Sequence, residues 1–266
     1  MKLVIHRYEA ILAGSLLLLS GAVIPSSWEP PIQTLRKPVV AAPVARGLRI
    51  ALTFDDGPHP VMTERLLKVL QDEHAPATFF VVGKMADRYP QIIQEMAQEG
   101  HEIANHTYTH PCLPTLSNAA ILTELAETRE TIRRLTGQDS LLYRPPGGDY
   151  STRMVRATAR AGYHMILWSV LTKDVQGSTE SAIYQRILDG AQDGGIILMH
   201  SGINNTVEVL PKAIEALRAQ GYEFVTVSQL LGRRVSHTSA PIVFPDAVHS
   251  SENAADLPAP NRPHLE

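Results

Sequence analysis

Arg49-Ile50-Ala51-Leu52-Thr53-Phe54-Asp55-Asp56-Gly57-Pro58-His59-Pro60 is an apolar run that stops at two adjacent carboxylates and a Gly-Pro turn. It reads as a buried strand ending at a functional edge. Successive side chains at a strand end point to different sides, so Asp55 and Asp56 are not expected to share one job. Like charges this close repel unless a cation or a held proton relieves them. One carboxylate on a metal and the other free to handle protons would meet that demand. A solvated turn is the other reading of the tetrapeptide taken alone.

Outward from this run, short apolar segments alternate with amphipathic ones. Strands are expected at 48–54, 77–82, 102–105, 141–143, 164–169, 195–199 and 223–225. Helices are expected at 62–73, 86–98, 117–136, 151–161, 179–192 and 207–219, with Ser117 and Ser151 as amino-terminal caps and Gly137 as a stop. This alternation implies an α/β domain, parallel strands with helices outside. About seven such units suggest a distorted, TIM-barrel-like (β/α) barrel, closed or nearly so, whose site gathers at the carboxyl ends of the strands. The unusual polar clusters all fall there: Asp55-Asp56, His106-Thr107-Tyr108-Thr109-His110, Arg144-Pro145-Pro146-Gly147-Gly148-Asp149, Asp174 and His200.

The chain's 266 residues suit one large domain at 47–232. With 24 basic and 27 acidic residues the formal charge is −3, so no nucleic-acid surface is announced. A single cysteine, Cys112, excludes an internal disulfide and is expected to be a buried spectator thiol. Lys2, His6 and Arg7 precede an apolar stretch at 11–24, so residues 1–24 read as a signal peptide or an uncleaved membrane anchor. A Pro-rich linker at 25–46 follows, and 233–266 reads as a disordered tail. A secreted or envelope-bound monomer is expected, touching membrane only through its amino terminus.

His106 and His110 lie four apart, a spacing that brings two imidazoles to one face of a turn or tight loop. With a carboxylate from another strand end they form a two-His, one-carboxylate set for a divalent metal, zinc first, with cobalt, nickel or iron also fitting. His200 emerges from a buried strand, either as a core histidine or as a general acid whose pKa is raised by Asp174. Arg144 is either a surface ion pair or the group that orients a catalytic carboxylate. The Pro-Pro-Gly-Gly turn can present a bare backbone N–H to an oxyanion.

Thr53-Phe54-Asp55-Asp56-Gly57-Pro58, His106-Thr107-Tyr108-Thr109-His110, Arg144-Pro145-Pro146-Gly147-Gly148 and Leu198-Met199-His200 resemble, in order, the motifs of the polysaccharide deacetylases, the NodB-homology family of carbohydrate esterases. The likeness covers about 49–231. It implies a distorted (β/α) barrel and metal-dependent removal of acetyl groups from N-acetylated glycans, with peptidoglycan or a chitin-like polymer as substrate. It also implies that Asp55 is the base, and that Asp56, His106 and His110 hold the metal. Arg144 would steady the base, His200 aided by Asp174 would be the acid, and Pro146, Gly147 and Leu198 would line the substrate site. Two departures stand out. Gly147 replaces a customary aromatic residue, and Leu171 and Asp174-Val175 replace a motif that usually carries an acid and then Asp-Trp. They leave two rivals open: a non-catalytic glycan-binding protein on the same fold, and a hydrolase of a small non-sugar amide. A serine hydrolase is not indicated, since no Gly-x-Ser-x-Gly elbow occurs.

Overall fold

The computed structural model describes residues 47–232. The expected leader at 1–24, linker at 25–46 and tail at 233–266 lie outside the described residues. The elements alternate as β1 (Leu48–Asp55), α1 (Met62–Asp72), β2 (Ala77–Val81), α2 (Gly83–Arg88), α3 (Pro90–Gln98), β3 (Glu102–Asn105) and α4 (Asn118–Thr136). There follow β4 (Leu142–Tyr143), α5 (Thr152–Arg160), β5 (His164–Met165), β6 (Val170–Leu171), α6 (Glu180–Gly190), β7 (Gly195–His200), α7 (Asn204–Ala219), β8 (Tyr222–Phe224) and α8 (Val227–Leu230).

Every strand pairing is parallel, in the order β5-β4-β3-β2-β1-β7-β6, and β8 pairs with the start of β1. Seven strands thus curl into a half-barrel with helices outside, as the alternation requires. Most boundaries fall within a residue or two of expectation, and Ser117 and Gly137 cap α4 as read from the sequence, Gly137 in the left-handed region that glycine favours.

Three expectations fail for physical reasons. The strand at 164–169 is two short ones, because the chain crosses from one edge of the ladder to the other. Ile166 N still donates to Tyr143 O at 2.8 Å, whereas Ser169 N donates to Ile196 O at 3.0 Å. The helix at 86–98 is two, α2 and α3, parted at Tyr89. Pro90 keeps the residue before it out of helical geometry, and itself opens the next helix. Cys112 is exposed rather than buried, in the loop after His110-Pro111.

The period-2 alternation sorts the core. On β1, Ile50, Leu52 and Phe54 face outward into a cluster with Leu66, Leu67 and Leu70 of α1 and Leu210, Ile214 and Leu217 of α7. Ala51 faces inward with Phe80, Ala104, Leu142, Ile196 and Leu198, closing the barrel interior. Each buried Leu, Ile or Phe among them contributes about 1.5–3 kcal/mol. Trp168, on the crossing segment, points the edge of its six-membered ring at Gly148, where an added Cβ would sit 2.4 Å from the indole.

Gly148 also has φ of 75°, in the region where other residues are strained. Gly148→Ala is therefore expected to lower the unfolding free energy by roughly 2 kcal/mol or more. Urea titration followed by tryptophan fluorescence reads this directly, and an unchanged midpoint would contradict it.

Candidate active site

The inward columns of four strands end in polar groups directly above that apolar layer. Asp55 lies two residues beyond Thr53 on β1, His106 two beyond Ala104 of β3, Arg144 two beyond Leu142 of β4, and His200 two beyond Leu198 of β7. Alternation turns each pair to the same side. Asp55 and His200 are register partners on neighbouring strands.

Arg144 is fully buried, so it is no surface ion pair. Its Nη1 donates to Asp55 Oδ1 at 2.7 Å and to Thr53 Oγ1 at 2.9 Å. Nε donates to Ile166 O at 3.2 Å and Nη2 to Leu167 O at 3.1 Å. The guanidinium stacks 4.1 Å over the Phe80 ring. Burial pushes its pKa down and Asp55 opposes that, but a guanidinium stays charged. Asp55 is thereby held by one oxygen, while its Oδ2 lies 3.8 Å from His106 Nε2.

Asp56 leaves the strand with φ of 71°, which breaks the strand alternation, and the carboxylates of Asp55 and Asp56 both approach His106 Nε2. Its Oδ1 lies 3.3 Å from His106 Nε2 and 3.2 Å from His110 Nε2. One ligand atom from each of the three lies within 4.8 Å of the others. His106 Nδ1 is 2.8 Å from Arg144 O, a carbonyl that can only accept, so Nδ1 carries the proton. Nε2 is then the nitrogen left to face the carboxylates, and as a metal ligand it would be unprotonated. Two acceptors would in that state face one another, an arrangement that a shared cation relieves. The two separations match the edge of a tetrahedron, about 3.3 Å for bonds of about 2.0 Å, so the donor set fits a divalent ion. Burial raises the Asp56 pKa, but hydrogen bonds to His106 and His110 outweigh it and hold the carboxyl well below the usual range. The Asp56 hydrogen bond raises the His110 pKa against burial.

His200 Nδ1 lies 2.8 Å from Asp174 Oδ1, and the His200 amide donates to Asp174 Oδ2 at 2.8 Å. Burial lowers the His200 pKa, yet Asp174 outweighs it and the net direction is up. For Asp174, burial raises the pKa and the His200 and Thr206 bonds bring it below the ordinary carboxylate value. Asp56 and His200 line one cavity of about 470 Å³ with His59, Pro60, Met62, Val175, Gly202 and Ile203. Of the residues expected to line the substrate site, Gly147 is exposed and Pro146 and Leu198 are buried, and none of the three lines this cavity.

Three contributors went unread in the sequence. Thr53 holds Arg144 and was visible by alternation with Asp55. Thr206 Oγ1 donates to Asp174 Oδ2 at 2.8 Å from the first turn of α7, with no local signal. His59, inside the opening stretch, walls the cavity with its imidazole against Gly202.

A family model described as polysaccharide deacetylase matches residues 45–166. A peptidoglycan-N-acetylglucosamine deacetylase of Bacillus cereus is 36% identical over 187 residues, which cover 68% of this chain and 87% of that protein. Among solved structures, a T48 deacetylase with substrate is 34% identical with a TM-score of 0.69, covering 74% of this chain and 97% of that one. A mutant CE4 family pseudoenzyme with restored enzymatic activity is 28% identical with a TM-score of 0.66, covering 73% of this chain and 69% of its own.

The buried Arg144–Asp55 pair yields a stability test. Arg144→Met leaves a carboxylate buried without its countercharge, an expected loss of roughly 3–5 kcal/mol. Adding Asp55→Leu removes both charges and is expected to restore much of that loss. Chemical denaturation of the single and double variants checks it, and equal stability of the two would contradict it.

Proposed function

The chain belongs to the polysaccharide deacetylase family, and on that premise we propose that it is a metal-dependent hydrolase. It removes N-acetyl groups from an N-acetylglucosamine-containing polymer of the cell envelope, peptidoglycan before a chitin-like glycan. The observation that carries this reading is the convergence of Asp56, His106 and His110 on one point at the strand ends, flanked by Asp55 and His200. The name of the Bacillus cereus relative supports the substrate class. An envelope location follows from that substrate and from the leader read in the sequence. Among the described residues no helix is long and apolar enough to cross a membrane.

Asp56, His106 and His110 would hold the ion, zinc first with cobalt, nickel or iron as alternatives, and it would polarise the acetyl carbonyl and acidify a water. Asp55, pinned through Oδ1 by Arg144, offers its other oxygen to take the proton of the attacking water. The amide of Gly147 donates to the developing oxyanion. His200 then protonates the departing amine, because an amide nitrogen does not leave as an anion. Asp174 keeps that imidazole charged and its Nε2 turned outward. Val175, Met62 and Ile203 line the groove, so the sugar would pack on an aliphatic wall.

Acetate release from N-acetylated glycans, with and without chelator, tests the proposal, and chelator-sensitive release is expected. The likeness to a pseudoenzyme favours one other reading, a glycan-binding protein without turnover. Tight glycan binding with no acetate released would establish that instead. Asp55→Asn is expected to lower kcat by about 10²–10⁴-fold with metal content retained, and Asp56→Asn to lose the metal. Loss of metal in Asp55→Asn would reverse the two roles.

The acid also predicts a pH effect. A raised His200 pKa keeps the imidazole protonated above its ordinary range, and the donating form is lost as pH rises through the raised value. Asp174→Asn removes the charge that raises it, so the alkaline limb of kcat is expected to move to lower pH. An unmoved limb would exclude His200 as the titrating acid.

A further inference from the structure

We infer that Glu124, on α4, is a positioning residue for the metal site, acting through the loop that carries both histidines. This rests on the metal-site reading above and adds a residue outside every motif of that reading.

The loop 106–110 bends twice into left-handed geometry, with φ of 67° at Thr107 and 59° at His110. For non-glycine residues such conformations persist only where surrounding bonds hold them. The hydrogen bonds can be followed amide by amide. His106 N donates to Val81 O at 2.9 Å, and Thr107 N to Asn105 Oδ1 at 2.8 Å. Tyr108 N and Thr109 N both donate to Glu124 Oε2, at 2.8 and 2.7 Å, and Thr109 Oγ1 donates to Oε1 at 2.8 Å. One carboxylate therefore satisfies two consecutive amides and a hydroxyl midway between the ligands. Gly83 N and Lys84 N donate to the carbonyls of Thr107 and Tyr108, fastening the loop's other side.

The two histidines differ in what else holds them. His106 is buried and fixed by its Nδ1 bond to Arg144 O. His110 has 41% of its side chain exposed, its ring 5.0 Å from that of His106, so its place depends more on the backbone that precedes it. Removing the Glu124 carboxylate would orphan the amides of Tyr108 and Thr109 and free His110 from its bearing on Asp56. A glutamine can keep all three bonds: its oxygen accepts from both amides, and its NH₂ donates to a Thr109 hydroxyl turned to accept. The contribution is thus one of bonding geometry rather than charge.

Zinc affinity of the full chain, measured by competition with a chromophoric chelator, tests this on wild type, Glu124→Ala and Glu124→Gln. Glu124→Ala is expected to raise the zinc Kd about 10–100-fold, as loss of an outer-shell support does. Glu124→Gln is expected to stay within about threefold of wild type, since its bonds can be kept. The melting temperature of the chelator-stripped protein should be alike in all three. Equal affinity of wild type and Glu124→Ala would overturn the inference, and so would equal weakening in both variants, which would assign the effect to charge. A loss that tracks a fall in metal-free melting temperature overturns it too. Failure of wild type itself to take up zinc would sink the metal-site reading and the role of Glu124 with it.

Discussion

A single buried guanidinium is the constraint on which the site depends. The ladder of strands does not close between β5 and β6, and the gap is crossed by irregular chain whose carbonyls at Ile166 and Leu167 need donors. Arg144 supplies them from inside the barrel and still has Nη1 left for Thr53 and Asp55. A buried charge is destabilising unless its donors are satisfied and a countercharge is near, and here four of the five N–H groups are bonded and Asp55 lies at 2.7 Å. The same residue's carbonyl fixes the tautomer of His106. One position thus completes the fold, aims the proposed base and orients a proposed ligand.

The division of labour around it follows from backbone geometry. Residues that continue the strand alternation, Asp55, Arg144 and His200, stand over the apolar layer formed by Ala51, Leu142 and Leu198. Residues in left-handed geometry, Asp56 and His110, escape that alternation and lean toward the open mouth. His106 bridges the two groups, continuing β3 inward while its Nε2 meets Asp56. Regular structure holds the groups proposed to move protons, and irregular structure shapes the cradle proposed for the ion.

That division also decides what could be read beforehand. The strand ends were legible because apolar runs stop at polar clusters, and the caps because Ser and Gly have definite stereochemistry at helix ends. The crossing at 166–169 was not, since a continuous apolar segment looks like one strand whether it pairs with one edge or two. The break at Tyr89 is written in Pro90, but the helical spacing of apolar residues continues across it. Thr206 and Glu124 gave no sign, because each acts on a residue distant in sequence through a bond that only tertiary packing creates. Cys112 misled for a related reason: cysteine's usual burial says nothing about a loop at the barrel mouth.

Charge pairing then explains why two adjacent aspartates can differ so much. The Asp55 charge is answered by Arg144 at 2.7 Å, and the Asp174 charge by His200 at 2.8 Å. Asp56 faces only imidazoles, and the Nδ1 proton of His106 is committed to a carbonyl, which leaves Nε2 as its ligand atom. Of the three carboxylates, Asp56 alone has two ring nitrogens within 3.3 Å of one oxygen. Protons on the two rings would answer its charge one contact at a time, whereas a divalent ion in their place would answer both at once. The Arg144 pair thus withdraws Asp55 from competition for an ion, which leaves the first aspartate for the proton transfer proposed for it and the second for the proposed metal.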